Sequence, residues 1–560
     1  MHLQKTLRFA IMCNGLVFQR WQADSIRQLL ERNHKPVLLI RDMRIQEKPG
    51  FLKKFFTYHW SNLLFLLCYR FFFHFQAKAV TDLSHELKGV DELPCYVEKQ
   101  GFSEYFNPDD IETIKSYKID FILRFGFNIL RGEILNAAEH GVWSFHHDDE
   151  TKYRGGPAGF WEIYYKDPVN AAILQQLTER LDAGIILKKG WFKTIDHSYS
   201  GNLDQLLFES SSWVDQAATD ISNGLPLNAK SSKTSAPVYQ APGNIKMIRF
   251  LLKLTGNKLR FHFNQLFRAE KWNIAVINRP IASALYASDF KNEHPQWLAE
   301  PPSGSYYADP FPYIRNEKVN VLFEHFIYPN HKASIARIGV ENGVFNTGIA
   351  EVFSGPNHLS YPFILENDGD IYCLPESFMD QRIGIYRLDP VNNNFIFIKS
   401  LLTGIDAIDP TLFEYDNLWW LFFSLKRQSN TILYAYYSDD LLGEYCPHLN
   451  NPVKTDIRSA RPAGTPFWCE GTLYRPGQDC SKTYGGQIVI NRVIKLNPSE
   501  FEEMPVKTIS PFKDTKYLNG LHTISGSGTV TIIDGKRFVF DKSVFTEQFF
   551  RKLRKLRDRK

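Results

Sequence analysis

Apolar and polar residues alternate along this chain with two different periods, and the change between them divides it. Up to about residue 225, short apolar runs are followed by stretches with apolar positions three or four residues apart. LRFAIMCNG reads as a buried strand, FQRWQADSIRQLLERN as an amphipathic helix and KPVLLIRD as a second buried strand, a βαβ opening that predicts a parallel sheet. IDFILRFGF is a further apolar run, and ILRGEILNAAEHG a short amphipathic helix stopped by Gly141. Residues 51–80, FLKKFFTYHWSNLLFLLCYRFFFHFQAKAV, stand out as an apolar insertion. Its core from Trp60 to Phe75 is interrupted by Arg70 and His74 and is shorter than the ~20 residues a bilayer span needs. A helical hairpin packed on the domain or on a partner copy is expected, with an interfacial membrane helix anchored by Lys53 and Lys54 as the alternative.

From about residue 272 the period shortens to that of strands, and a motif recurs: ADPFPYIRNEKVNVLFEHF, SYPFILENDGDIYCLPESF, IDPTLFEYDNLWWLFFSLK and GTPFWCEGTLYRPGQD. Their prolines at 310, 362, 410 and 466 lie 52, 48 and 56 residues apart. Each unit enters through a proline turn, runs as a strand, turns at a polar group and returns on an aromatic strand. A fifth unit is expected around LHTISGSGTVTIIDGKRFVFD, with Gly535 at a hairpin turn. Short strands repeating at this period predict a five-bladed propeller over 272–543, because a sandwich would not repeat one entry motif. Residues 224–245, rich in proline and polar side chains, read as a linker, and 246–271 as a basic amphipathic connector.

The 560 residues allow two to four domains, and 44% hydrophobic with 23% charged residues is ordinary globular usage. An aromatic share of 14% points to β-rich blades or sugar-contacting surfaces. The seven cysteines are scattered without CxxC spacing, which implies neither a disulfide framework nor a metal site. With no secretory signal pattern at the start, a reducing, cytoplasmic setting is expected. Residues 545–560 carry seven basic side chains against Glu547 and Asp558, which accounts for the whole net charge of +5. A nucleic-acid groove is therefore not expected. The basic stretches 246–268 and 545–560, and the insertion 51–80, are instead the places where peripheral membrane contact or oligomer formation is expected.

The densest chemistry lies in 141–190. His146 and Asp182 stand 36 residues apart, the first at a strand end and the second in a loop before IILKKG. An imidazole whose charge is set by a carboxylate suits proton management on an amine. Ser144-Phe145-His146, the turn Tyr153-Arg154-Gly155 and the loop Leu181-Asp182-Ala183-Gly184 follow one another in the order of a known family. The first 210 residues resemble the N10-formyltetrahydrofolate-dependent formyltransferases, which act on methionyl-tRNA, glycinamide ribonucleotide and nucleotide-linked amino sugars. The resemblance implies a Rossmann-like α/β domain over 1–223. It also implies His146, Asp182 and Ser144 as catalytic residues, and a folate-contacting set of Phe125, Gly126, Phe127, Ile129, Leu130, Arg154 and Gly155. The family's asparagine is Ser144 here, a shorter donor at a position where losing an oxyanion donor costs about 2.7 to 4 kcal/mol.

The repeats place Asp309, Asp409 and Glu470 near equivalent inner positions of the blades, with Glu376 on a returning strand and Tyr361 where a further carboxylate would stand. Carboxylates facing one another across a channel are what glycoside hydrolysis requires, although Asp before Pro is also a common turn pair. This half resembles the five-bladed furanosidase-type glycosidases and, through SYPFILENDGDIYCLPES, the propeller domain of the glucosamine inositolphosphorylceramide transferases. The reading that follows is N-formyl transfer from N10-formyltetrahydrofolate to an amino sugar held by the propeller. A propeller-centred glycoside hydrolase or glycosyltransferase beside a vestigial first domain is the alternative, and a non-catalytic glycan-binding scaffold the second.

Overall fold

Strands Arg8–Cys13 and Lys35–Asp42 pair in parallel, joined by the helix Arg20–Glu31 that buries Ala23, Ile26 and Leu29 on the sheet. The computed structural model describes residues 5–43, 60–180, 184–225, 227, 230–286 and 294–557. Contacts divide the chain into Met1–Lys258 and Leu259–Lys560.

In the first unit eight strands form one sheet. Their order is Lys230–Ser231, Ile185–Lys193, Val169–Gln176, Val142–His146, Phe121–Arg124, Arg8–Cys13, Lys35–Asp42 and Asp91–Cys95. The last five in this order run parallel and the first three antiparallel. Helices Arg20–Glu31, Tyr199–Ser210 and Trp213–Ser222 cover one face; Pro108–Ser116 and a 3-10 turn at Gly132–Asn136 cover the other. Strand order reverses between Arg8–Cys13 and Phe121–Arg124, which opens a crevice beyond their carboxyl ends. There a cavity of about 230 Å³ is lined by Cys13, Asn14, Phe18, Gln22, Lys78 and Phe125.

Among the described residues the insertion 51–80 forms a 3-10 turn and one helix, Leu63–Phe71; residues 51–59, where the other arm of the expected hairpin would fall, lie outside the described residues. Nine residues give that helix one packed face, with Phe65 and Cys68 set against Tyr153, Phe160 and Tyr199. Residues 224–245 are no free linker, because Val238–Tyr239 pairs in parallel with Arg154–Gly155. Gly155, at φ +84°, permits it: a Cβ there would lie 2.2 Å from the Tyr239 carbonyl oxygen.

The second unit is a ring of five antiparallel blades among the described residues, three of four strands and two of five. Their innermost strands are Ser305–Arg315, Ser360–Asn367, Ala407–Tyr415, Phe467–Cys469 and Ile524–Ser527. Apolar clusters weld each blade to the next. Four of the inner hairpins close through two-residue turns with both φ positive: Asn316-Glu317, Asp368-Gly369, Asp416-Asn417 and Glu470-Gly471. Such turns match the strand twist and favour Asn, Asp and Gly. The fifth blade draws strands from both ends of the unit, pairing Ala269–Ile277 with Val530–Val539 and thereby closing the ring. Gly535 lies inside this strand, not at a hairpin turn; a Cβ there would meet Trp297 at 2.3 Å.

Candidate functional site

In three blades the inner strand carries a bulge that sets two of its residues against one of its neighbour: Asp309-Pro310, Tyr361-Pro362 and Asp409-Pro410. The residue before each proline has positive φ, +50°, +42° and +51°. Aspartate and tyrosine adopt this conformation at a cost of order 1 to 3 kcal/mol, and bulges serve to re-aim a side chain. Beside each bulge the second strand carries a polar residue, with Glu324 opposite Ala308, Glu376 opposite Ser360 and Ser424 opposite Ile408.

These residues converge. The Asp409 amide donates to Glu376 Oε2 at 2.9 Å. Arg461 clamps the Asp409 carboxylate through Nε at 2.5 Å and Nη2 at 3.2 Å, and Gln478 adds a third donor at 3.0 Å. Asp309 accepts the Thr523 hydroxyl at 2.8 Å and lies 3.4 Å from His522 Nε2. The other ring nitrogen lies 2.5 Å from Asp534, an ionic approach without hydrogen-bond alignment. Asp534 in turn accepts the amides of His522 and Thr523 at 2.9 and 3.1 Å. Tyr361 uses its hydroxyl structurally, taking the Gly464 amide at 2.8 Å and meeting Thr411 at 3.1 Å.

Burial sets the protonation here. It pushes Glu376 up to about 8, helped by the neighbouring Asp409 and opposed by Arg461. Glu324 rises well above the carboxylate range through burial and the charges of Asp309 and Glu376. Asp309 rises to about 6, with burial dominant and His522 opposing. Burial alone would lower His522; Asp534 and Asp309 on either side raise it. The site thus holds carboxyls kept protonated beside one held as an ion pair, the division of labour that general acid–base chemistry needs. Asp309, His522 and Asp534 also bring three ligand-type atoms within 4.8 Å of one another. A charged imidazole between two carboxylates already supplies the positive charge that a cation would bring.

Around this acidic floor the second strands and the turns after them raise an aromatic collar. Tyr306 stacks on Phe326 at 4.7 Å, His358 bridges Phe326 and Phe378, and Lys426 caps the Phe378 ring at 3.9 Å. At the hairpin end of the channel lies a second cleft of about 740 Å³, lined by Glu366, Glu414, Trp419 and the stacked pair Tyr415 and Trp468.

Glu470 does not join the cluster. It is the first residue of an exposed inner hairpin turn, bonded to the Tyr286 hydroxyl at 3.3 Å. Pro310, Pro362 and Pro410 stand six residues before their turns, whereas Pro466 stands four before Glu470, so aligning on the proline shifts the register. Glu324 was legible and missed, since it follows Pro310 by the same fourteen residues that separate Pro362 from Glu376. Arg461 comes from a segment outside the repeat, and His522 and Asp534 from the fifth unit, which lacks the proline-led entry and so carries no such signal.

In the sheet unit the expected site is tied to the protein. Ser144 is 2% exposed, and its hydroxyl accepts Arg124 Nε at 3.1 Å and Nη2 at 2.9 Å. His146 shares Nε2 with the Tyr153 carbonyl at 3.1 Å. His147, pushed down to about 3 by burial and by His146, sits in a box of Trp21 and Phe145. Arg154 donates to the Ala236 carbonyl at 3.2 Å, beside Gly155 in the short paired strand. Asp182 lies outside the described residues. Of the expected folate-contacting segment, only Phe125 lines the crevice cavity, while Gly126 packs on the Cys13 backbone at the crevice edge. Leu130 belongs to the core, Phe127 packs on Phe106 at 5.0 Å, and Ile129 pairs with Ser103. The Ser144 oxygen accepts from Arg124, which leaves its own hydroxyl proton to donate.

Residues 280–525 match the family described as glucosamine inositolphosphorylceramide transferase 1, N-terminal. The rice (Oryza sativa subsp. japonica) protein named glucosamine inositolphosphorylceramide transferase 1 is 32% identical over 260 residues, 43% of this chain and 35% of the relative. The chain therefore spans about a third of that relative's length. Among solved structures, the family 117 glycoside hydrolase Zg3597 of Zobellia galactanivorans aligns with 50% of this chain and 91% of its own, at 13% identity and a TM-score of 0.30. Glycinamide ribonucleotide transformylase 1 of Symbiobacterium toebii aligns with 41% and 94%, at 13% identity and a TM-score of 0.28. At these scores neither structural likeness assigns a unit to a fold family, so the sequence match to the propeller half is the informative one.

Proposed function

We propose that this chain acts on a glycosidic bond at the axis of its propeller, with an amino sugar as the group bound there. The observation that carries the reading is the pair formed by Glu376, raised to about 8, and Asp409, held by Arg461, joined at 2.9 Å. Glu376 is the proton donor to a leaving glycosidic oxygen, with Glu324 beside it, and Asp309 is the carboxylate that serves the opposite face of the sugar. The collar of Tyr306, Phe326 and Phe378 supplies ring faces for a sugar. Asp309, Asp409 and Asp534 face Arg461 and His522, while the protonated Glu324 and Glu376 can donate hydrogen bonds to sugar oxygens. The relative's printed name, with its glucosamine, supports the same class of substrate.

The test is incubation with glucosaminides and nucleotide-linked amino sugars, read by mass spectrometry for a cleaved or transferred sugar. Turnover that disappears in Glu376→Gln and Asp309→Asn is the expected result; turnover intact in both overturns it. Binding without any turnover leaves the propeller as a glycan-holding module.

Formyl transfer to an amino sugar at His146 is the second reading, favoured by the cavity at the strand-order reversal of the sheet. It predicts addition of a formyl group in the presence of N10-formyltetrahydrofolate and loss of that addition in His146→Ala.

A further inference from the structure

The helix Asn244–Phe267 has two apolar faces, where a helix on a soluble protein normally has one. The first is packed, with Met247 and Phe250 fully buried among Phe160, Trp161 and Tyr199. The second is bare: Ile245 is 70% exposed, Ile248 51%, Leu252 70%, Leu259 67% and Phe263 56%. At 100° per residue these five fall within an arc of about 60°, opposite the packed face. From Phe263 the bare surface continues ring to ring through Phe267 and Phe545 to Phe549 and Phe550, on the terminal helix Lys542–Arg557. Contiguous exposed apolar surface on this scale marks an interaction site.

Charge says what covers it. Residues 244–268 contain Lys246, Arg249, Lys253, Lys258, Arg260 and Arg268, and neither Asp nor Glu. The terminal helix adds Lys542, Arg551, Lys552, Arg554, Lys555 and Arg557 against Glu547 alone. A second copy of this chain would bring the same cations onto the same face, so self-association is opposed by like charge. An anionic bilayer surface offers both things the face asks for, an apolar layer for the stripe and negative headgroups for its flanks. No helix among the described residues is long and apolar enough to cross a membrane.

We propose that Asn244–Phe267 lies flat in the headgroup layer of an anionic membrane, its bare stripe inserted and its exposed cations Arg249 and Lys258 on lipid phosphates and carboxylates, while Lys246 and Lys253 stay on Trp161 and Tyr164. The helix is then an in-plane anchor about 36 Å long. The experiment is co-sedimentation of the purified full chain with vesicles of phosphatidylcholine, with and without 30% phosphatidylserine. The expected result is at least about tenfold tighter binding to the anionic vesicles, weakened by salt. Leu252→Glu with Phe263→Glu, and Arg249→Glu with Lys258→Glu, each abolish that gain while circular dichroism stays unchanged. Vesicle binding that ignores phosphatidylserine, or that survives both pairs, overturns the proposal. So does a dimer that Leu252→Glu with Phe263→Glu disperses in a protein that binds no vesicles.

Discussion

The sheet unit and the propeller both bury ionisable side chains, yet they treat them differently. In the sheet unit Lys189 sits between Asp149 and Glu150, Lys188 on Asp220, and Arg124 on Ser144, so these groups are neutralised nearby. Glu162, buried and raised to about 7, is an exception, with no carboxylates among the described residues converging on it from other strands of the sheet. In the propeller Glu324, Glu376, Asp309 and Asp409 converge from three blades, two of them on strained backbone, and burial holds three of them above the usual carboxylate range. A fold seeking stability alone has no use for the second arrangement, since protonated, strained and crowded acids cost free energy. Ordered motifs along a sequence are thus a weaker sign of chemistry than convergence in space.

The comparison is broken most directly by activity. Glu376→Gln should lower sugar turnover by about 100-fold or more, the usual scale for losing a general acid, while His146→Ala leaves it within a factor of two or so. The reverse pattern in a steady-state assay would move the working centre to the sheet unit.

Next in size is Arg461→Ala, which strands the Asp409 carboxylate in a site 2% exposed. Removing one partner of a buried pair costs about 3 to 5 kcal/mol, read as a fall in the propeller's calorimetric transition. Pairing Arg461→Met with Asp409→Asn should restore part of that loss while leaving turnover absent.

Gly155→Ala sharpens the other side. With its Cβ 2.2 Å from the Tyr239 oxygen and φ at +84°, the pairing of 154–155 with 238–239 should give way, at about 1 to 3 kcal/mol. Limited proteolysis should then cut within 224–245 faster than in the unaltered protein.

The last test is in pH. Glu376 titrates near its ordinary value when unfolded and at about 8 when folded, so its contribution to stability is whole in acid and is lost as pH rises from about 4.5 through 8. Glu376→Gln removes that dependence, and its melting temperature relative to the unaltered protein should climb between pH 5 and pH 9. A constant difference would mean that the carboxyl is not held protonated.

How much of this could be read from the residues alone follows from locality. The Asp-Gly and Asp-Asn turns, the proline-led inner strands and the βαβ opening are local signals, and each stands where its pattern puts it. Glu376 and Asp409 were reachable because the repeat copies their environment. Glu470 was misplaced because Pro466 is two residues out of register with the other prolines. Arg461 and His522 reach Asp409 and Asp309 across 52 and 213 residues, and nothing near them in the sequence announces the meeting. The stretch 224–245 has the composition of a tether, and only the bare backbone of Gly155 shows why it is docked.

The fifth blade joins Ala269 to Val539, residues 270 positions apart. A ribosome therefore releases one half of this clasp long before the other exists, and until then the ring must wait open, with the unpaired edge of Ala269–Ile277 as a template for the wrong neighbour. A chain stopped after residue 525, where the sequence match ends, would never be rescued from that state, because it lacks the strand Val530–Val539 altogether. For this protein a late premature stop should be as damaging as an early one, and its product should be found in inclusion bodies rather than as a shortened folded protein.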